Sequence, residues 1–362
     1  MHQHQSYMKY YYDELDLSKQ VLVDVRSPAE FAEFHHPDSI SIPLFSNEER
    51  ERVGTIYKQI GQEKAKEEGV KILSGKLTTL YNEFQSILDT YPDRELILSC
   101  ARGGMRSGIL VSFLKSLQFP AGQLEGGVRS IRKYVQSELK RLSEVSWQTI
   151  VLGGHTGTGK TKWLLELQEQ GYPVLDLEGL AAHRGSVFGH IGKDPSTQKQ
   201  FEWNLVWDLQ KLEKDKMLIL EAESKRIGRI TLPEFIMNAK DNGHVIEMYD
   251  DLKRRVANIM EDYQPDSFSE RIAEAYKVIR KRLDDGHRLQ ADADIEKQEY
   301  ESLFAILLEH YYDPRYRFSQ GNSAKGKHYQ FLNIQHTSEH LITDQIKQVI
   351  DQWWERQPMT HK

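Results

Sequence analysis

The run GHTGTGKT, Gly154 to Thr161, constrains this chain more than any other feature. It matches G-x-x-x-x-G-K-[ST] in full and lies between a strand-like segment, QTIVL, and a helical one, KTKWLLELQEQ. A strand that turns through a glycine-rich loop into a helix belongs to a parallel α/β sheet, and the loop's inward amides form an anion site. Gly157 and Gly159 allow that curl, with His155, Thr156 and Thr158 filling the other positions. Lys160 neutralises phosphate charge, and Thr161 reaches Mg²⁺ where that ion is bound. The motif predicts a diphosphate-binding loop. Nothing near it specifies adenine or guanine.

A second strand-loop-helix pattern precedes it. The strand ELILS runs into CARGGMRS, so Cys100 stands at a strand-to-helix turn with Arg102, Gly103, Gly104, Met105, Arg106 and Ser107 after it. A free thiol ionises near pH 8.5, and a helix N-terminus with cationic neighbours such as Arg102 and Arg106 lowers that by about one to several units. The pattern predicts an anion loop holding a nucleophile, Cys100, assisted by Arg106. The competing reading, a small buried hydrophobe, fits a lone cysteine but leaves the two glycines and two arginines unexplained.

The chain has 362 residues, which at about 150 residues per domain favours two or three domains. Strands at VLVDV and ELILSC alternate with helical runs, and charged helical segments between 47 and 91 read as an insertion on one side of a first sheet. The stretch SEVSW reads as a linker, placing the boundary near 142, with domains over 1–142 and 143–362. The second domain repeats the rhythm with QTIVLGG, PVLDL, KMLIL and HVIEMYD, and turns helical from about 267. The expected fold class is therefore α/β, two parallel-sheet domains with a helical insertion and C-terminal helices. Mean hydropathy is −0.62, and no apolar run approaches the roughly 18 residues of a membrane span, so no membrane partner is expected. One cysteine allows no intrachain disulfide, and the first residues lack the charged and apolar runs of a signal peptide, so a reducing cytoplasm is the expected location. His2 and His4 are read as a tail rather than a metal site. A net charge of −6 argues against bulk nucleic-acid binding and leaves local basic patches open.

Further candidates cluster round the phosphate loop in sequence. Glu221, ending KMLIL, stands where a second strand presents an acidic partner, with Glu223 and Ser224 following in LEAESKRIG. Asp176 and Glu178 end PVLDLEG, and the glycine-rich run after them carries His183, Arg184, Ser186 and Phe188, a composition suited to a substrate loop beside the carboxyl ends of the strands. Arg226 and Arg229 are the favoured contacts for nucleic-acid phosphates. Arg129, Arg132, Lys133, Lys225, Lys253, Arg254 and Arg255 are weaker candidates, and Arg315 and Arg317 in YYDPRYRF form an aromatic-basic patch without an assigned mechanism.

DVRSPAEF, HPDSISIP, CARGGMRS and LEGGVRSI, in this order, resemble the rhodanese fold. The spacing C-x5-R-S also resembles tyrosine phosphatases, which leave the DVR and EGG motifs unaccounted for. Joined to the phosphate loop and to DLEGLAAHRGSVFG and EAESKRIG, the whole closely resembles the bacterial tRNA 2-selenouridine synthase family. Two departures are Ala101, where the family often has an aromatic residue, and Ala222, where serine is frequent. The resemblance implies a transferase that converts wobble 2-thiouridine of tRNA to 2-selenouridine with selenophosphate, through an S-geranyl intermediate made from geranyl diphosphate. It implies tRNA and a selenophosphate-producing enzyme as partners, and no tightly bound cofactor. It places the diphosphate on Gly154 to Thr161 and the selenium step on Cys100 with Arg106. A sulfurtransferase fused to an ATP-dependent kinase and a non-catalytic tRNA-binding module remain as alternatives.

Overall fold

The computed structural model describes residues 8–316 and 329–356. The chain divides into two compact units, one of residues up to 141 together with 202–206, the other of 142–201 with the residues from 207 onward.

The first unit is built on a five-stranded sheet, β1 (Lys9–Tyr10), β2 (Gln20–Asp24), β3 (Ile40–Ser41), β4 (Glu95–Ser99) and β5 (Ala121–Leu124), in the order β1-β5-β4-β2-β3. Every pairing is parallel. Val21, Val23, Leu96 and Leu98 are buried with apolar residues of the flanking helices, which is why these strands read as near-continuous apolar runs. Helix α1 (Pro28–Glu33) begins at a capping box of Ser27 and Glu30, with proline in its first turn. A similar box, Ser46 with Glu49, starts α2 (Asn47–Gln59). That helix and α3 (Gln62–Thr90) form the expected helical insertion, α3 burying Leu80, Phe84 and Ile87. Helix α4 (Met105–Ser116) follows β4, and α5 (Val128–Leu142) follows β5.

In the second unit β6 (Gln148–Gly154), β7 (Met217–Glu221), β8 (Arg226–Ile227), β9 (Ile230–Thr231), β10 (His244–Tyr249) and β11 (Tyr329–Asn333) follow in sequence. Four of them make a parallel sheet in the order β11-β10-β6-β7, and β8 with β9 forms a separate antiparallel pair. Ile150, Leu152, Ile219, Ile246 and Met248 pack with α6 (Lys160–Glu169) and the C-terminal helix Glu339–Trp354. A second core joins Phe188 and Ile191 to α10 (Leu252–Tyr263) and the helices beyond it. Between β6 and β10 lie α7 (Leu177–Ala181), α8 (Gln198–Leu212) and α9 (Glu234–Asn242).

Two expectations need correction. PVLDL is not a strand: it makes a single parallel bridge, Val174 to Ile219. Pro173 has no N–H to donate, and Asp176 turns the chain by capping α7 at the amide of Gly179, so too few residues remain for a ladder. The fourth strand is instead Tyr329–Asn333, within the segment read as helical. It lies on the sheet's edge and is only partly buried, so YQFLN carries no apolar run to announce it.

Candidate active site

In the first unit Cys100 directly follows β4, and its thiol is buried. The loop is locked by the segment after β5. Val128 and Arg129 donate backbone N–H groups to the carbonyls of Cys100 (2.8 Å) and Ala101 (3.1 Å). Gly127 has φ +56°, and a Cβ there would stand 2.0 Å from the Cys100 oxygen, so the EGG motif is the close approach that the cysteine loop requires. Gln123, almost fully buried, donates to the carbonyls of Gly103 and Gly104 and to Ser107 Oγ (2.8 Å). Ser107 Oγ in turn donates to Cys100 Sγ at 3.2 Å. Burial pushes the thiol up, but Ser107's hydroxyl and the backbone amides of Ser107, Arg102 and Gly104 outweigh it and hold the thiol below its ordinary value. The lowering therefore comes from the amides that the sequence placed at this turn, joined by the Ser107 hydroxyl rather than by cationic side chains. Arg102 contributes its backbone, and Met105 is exposed. Arg106 forms a two-point pair with Glu30, Nη1 to Oε2 at 2.6 Å and Nη2 to Oε1 at 3.2 Å, which fastens α4 to α1. Burial would raise the Glu30 carboxyl, yet Arg106, the Ser27 amide and Arg50 bring it down to about 2. Asp24 and Arg26, the DVR pair, are buried together, Nη2 to Oδ2 at 2.7 Å.

In the second unit the phosphate loop spans the end of β6 and the start of α6. Gly157 has φ +85°, and a Cβ would meet the Arg255 carbonyl at 2.7 Å, so α10 presses directly on the loop. Lys160 Nζ donates to the carbonyls of Gly154 (2.8 Å) and His155 (3.2 Å). Thr158 Oγ1 donates to the His155 carbonyl. Thr161 Oγ1 lies 3.0 Å from Glu221 Oε2 and 3.2 Å from Glu178 Oε2. Glu178, Glu221 and Glu223 bring one oxygen each to within 4.8 Å of one another. Burial pushes all three carboxyls up, and mutual repulsion adds to it for Glu178, which reaches about 8, and for Glu221, which lies well above its ordinary range. Lys160 partly offsets the rise at Glu178 and Glu223.

The remaining predicted residues sort themselves by contact. Asp176 is a helix cap. The His183 ring is packed between Gly189 and Gly228, where a Cβ would meet it at 2.7 Å and 2.6 Å, and burial keeps it low and neutral. Arg184 donates to the Ile191 carbonyl and faces Asp262, Ser186 bonds Tyr263, and Ser224 donates to the Arg226 carbonyl. Phe188 is core, not a substrate contact, at 1% exposure. Among the tRNA candidates Arg226 and Arg229 are both exposed, and Arg229 also donates to the carbonyls of Pro195 and Ser196. Arg255 is corrected outright: buried, it pairs with Asp313 through two bonds (2.6 and 3.0 Å) and donates to the Thr156 carbonyl. Arg132 pairs with Glu202, and Arg254 donates to the Ile334 carbonyl. Arg129, Lys133, Lys225 and Lys253 are exposed. Arg317, His2 and His4 lie outside the described residues. Sequence reasoning missed the supports: Gln123 and Glu30 in the first unit, and Asn258, Asp313 and Tyr316 in the second. Asn258 donates to the Gly157 carbonyl, while Tyr316 donates to Glu247 and accepts from the Gly154 amide, each at 2.8 Å.

A family model for the tRNA 2-selenouridine synthase AAA domain matches residues 147–349, and one for the rhodanese-like domain matches 8–134. Three similar curated proteins are named tRNA 2-selenouridine synthase. That of Nitrosomonas europaea is 37% identical over 246 residues, 67% of this chain and 63% of that protein. That of Shewanella loihica is 31% identical, covering 86% of this chain and 90% of the relative, and that of Hydrogenovibrio crunogenus is 33% identical, covering 85% and 91%. With its cysteine loop and phosphate loop each matched by the corresponding domain, the chain belongs to the tRNA 2-selenouridine synthase family.

Proposed function

We propose that the protein converts 2-thiouridine at the tRNA wobble position to 2-selenouridine in two steps divided between its loops. In the first, the thiocarbonyl sulfur attacks the allylic carbon of geranyl diphosphate, a C–S bond forms, the C–O bond breaks, diphosphate leaves and the ring N3 gives up its proton to solvent. The loop Gly154 to Thr161 binds the diphosphate, and Lys160 stabilises the charge that develops on it. In the second, selenium from selenophosphate adds to the ring carbon and geranylthiol departs, water taking the phosphoryl group. Alkylation is what makes sulfur a competent leaving group. Cys100, inside its amide ring, serves this step by assisting departure of the thiol. The observation that carries the reading is the lowered Cys100 thiol held by Ser107 and three amides, in a chain that also carries a complete phosphate loop.

Glu178, Glu221 and Glu223, with Thr161, suit a divalent cation. Glu221 Oε1 is buried without a hydrogen-bond partner among the described residues, and cation binding would relieve the repulsion within the cluster. Bound there, Mg²⁺ would neutralise diphosphate charge. Binding of Mn²⁺ followed by electron paramagnetic resonance, lost in Glu221→Gln, tests this apart from turnover.

The reaction is tested by anaerobic incubation with thiolated tRNA, adding geranyl diphosphate and selenophosphate singly and together, and nucleoside mass spectrometry. A geranylated nucleoside that converts to 2-selenouridine is the expected result. Nucleotide hydrolysis or thiosulfate turnover with no altered nucleoside would favour the fused sulfurtransferase and kinase instead.

A further inference from the structure

Beside the phosphate loop the second unit carries a row of aromatic rings that the two-step scheme does not use. His155, within the loop, stands 4.9 Å from Tyr316 and 6.2 Å from Tyr249 between ring centroids. Tyr249, the last residue of β10, stands 5.9 Å from Phe331, and Phe331 lies 6.4 Å from Tyr329, nearly parallel to it at 18°. The register explains the alignment. Glu247 pairs with Phe331 and Val245 with Tyr329, so Tyr249, two residues beyond Glu247, shares their face of the sheet. The row thus runs from the sheet's edge strand to the anion loop.

Its outer half is open. Phe331, on the edge strand, is 66% exposed, and Tyr249, at the end of the adjoining β10, is 39% exposed. Large rings left in water at this density mark a binding surface rather than a core. Arg315, next to Tyr316 in sequence, is exposed and stacks its guanidinium on Tyr311 at 3.8 Å, adding a cation and a further planar face.

We infer that this row is a stacking platform for unpaired nucleotides of the RNA substrate, leading the target base to the phosphate loop. The inference rests on the tRNA reading above and adds to it the surface that receives the loop nucleotides. Two observations choose RNA bases over the prenyl chain of the donor. A ten-carbon chain gains its binding energy by enclosure, and rings this exposed would leave much of it in water. A base needs only one covered face, and stacking on aromatic side chains tolerates any sequence. The row is also interleaved with polar groups, the hydroxyls of Tyr249 and Tyr329 and the His155 imidazole, which suit base edges better than a hydrocarbon.

The test uses the full chain with Phe331→Ala, Tyr249→Ala and the ring-preserving Phe331→Trp. Affinities are measured for an anticodon stem-loop RNA and for a fully paired RNA of equal length, alongside the KM for geranyl diphosphate. Each alanine variant is expected to weaken stem-loop binding roughly 5- to 150-fold, the range for loss of one stacked base. Phe331→Trp should retain it, with duplex affinity and donor KM unchanged. A raised donor KM with RNA affinity intact would reassign the row to the prenyl chain. Equal losses on both RNAs, or no change in any readout, would also overturn the platform. If the wild type alters no tRNA nucleoside yet loses stem-loop affinity with these rings, the reaction scheme falls and the platform stands. If tRNA is modified and the ring variants are silent, the platform alone falls.

Discussion

Cys100 owes its character to one neighbour more than to any charge. Ser107 donates to the sulfur and is itself fixed by Gln123, so Ser107→Ala removes a side-chain stabiliser of the thiolate while burial remains. The pH midpoint for alkylation of Cys100 by iodoacetamide is expected to rise in this variant, and the rate at neutral pH to fall, whereas a midpoint that stays put would take Ser107 out of the account. At Glu178 the sign is opposite. Its carboxyl is raised from 4.5 to about 8, so it contributes fully to stability only below its unfolded value and that contribution is lost as pH climbs through 8. Wild-type Tm should drop over this window by an amount corresponding to a few kcal/mol, and Glu178→Gln should flatten the drop. Thermal unfolding at pH 5 and pH 8.5 measures both. The lowered thiol was legible in sequence, but Ser107's part in it and the raised Glu178 carboxyl were not. The motif named the cysteine and the glutamates, but which groups crowd them depends on contacts with residues far along the chain.

The two loops share a design at the level of elements: each is short, rich in glycine, and held in shape by a neighbouring segment. For the cysteine loop that neighbour is the turn between β5 and α5. Gly127→Ala forces a Cβ against the Cys100 carbonyl at positive φ and should destabilise the protein by well over about 1 kcal/mol, with the alkylation midpoint shifting as the amide ring opens. For the phosphate loop the neighbour is α10. Arg255, buried at 5% side-chain exposure, pairs with Asp313 at 11%. Replacing Asp313 by Ala leaves that charge without its partner, which costs about 3–5 kcal/mol for a buried pair. Urea unfolding is expected to show this loss, with Arg255→Met combined with Asp313→Ala recovering part of it. The sequence marked Arg255 only as a basic residue on a helix. Its periodicity cannot distinguish a cation facing phosphate from one facing a carboxylate that arrives nearly sixty positions later.

Across the whole molecule the proposed division of labour makes a prediction that does not depend on how the two units are arranged. Cys100→Ala should accumulate geranylated tRNA, and Lys160→Ala should lack that step while keeping the cysteine loop. A mixture of the two variants is then expected to restore 2-selenouridine, read by nucleoside mass spectrometry, because one protein's product is the other's substrate. No restoration, with both single steps intact, would require the intermediate to stay on one protein. By itself the sequence determined what local chemistry can encode: the strand-loop-helix frames round Cys100 and Gly154, the charged helices of the insertion, and the α/β rhythm of both units. These signals survive in one dimension because hydrophobic period, turn residues and caps act within a few positions. Tertiary structure alone decided that PVLDL stops at one bridge to β7 while YQFLN pairs along the opposite edge, that Arg106 belongs to Glu30 and Arg255 to Asp313, and that Glu178, Glu221 and Glu223 cluster together. Edge strands, buried ion pairs and carboxylate clusters are defined by partners brought together in folding, and their energies arise from burial and proximity that residue order does not contain.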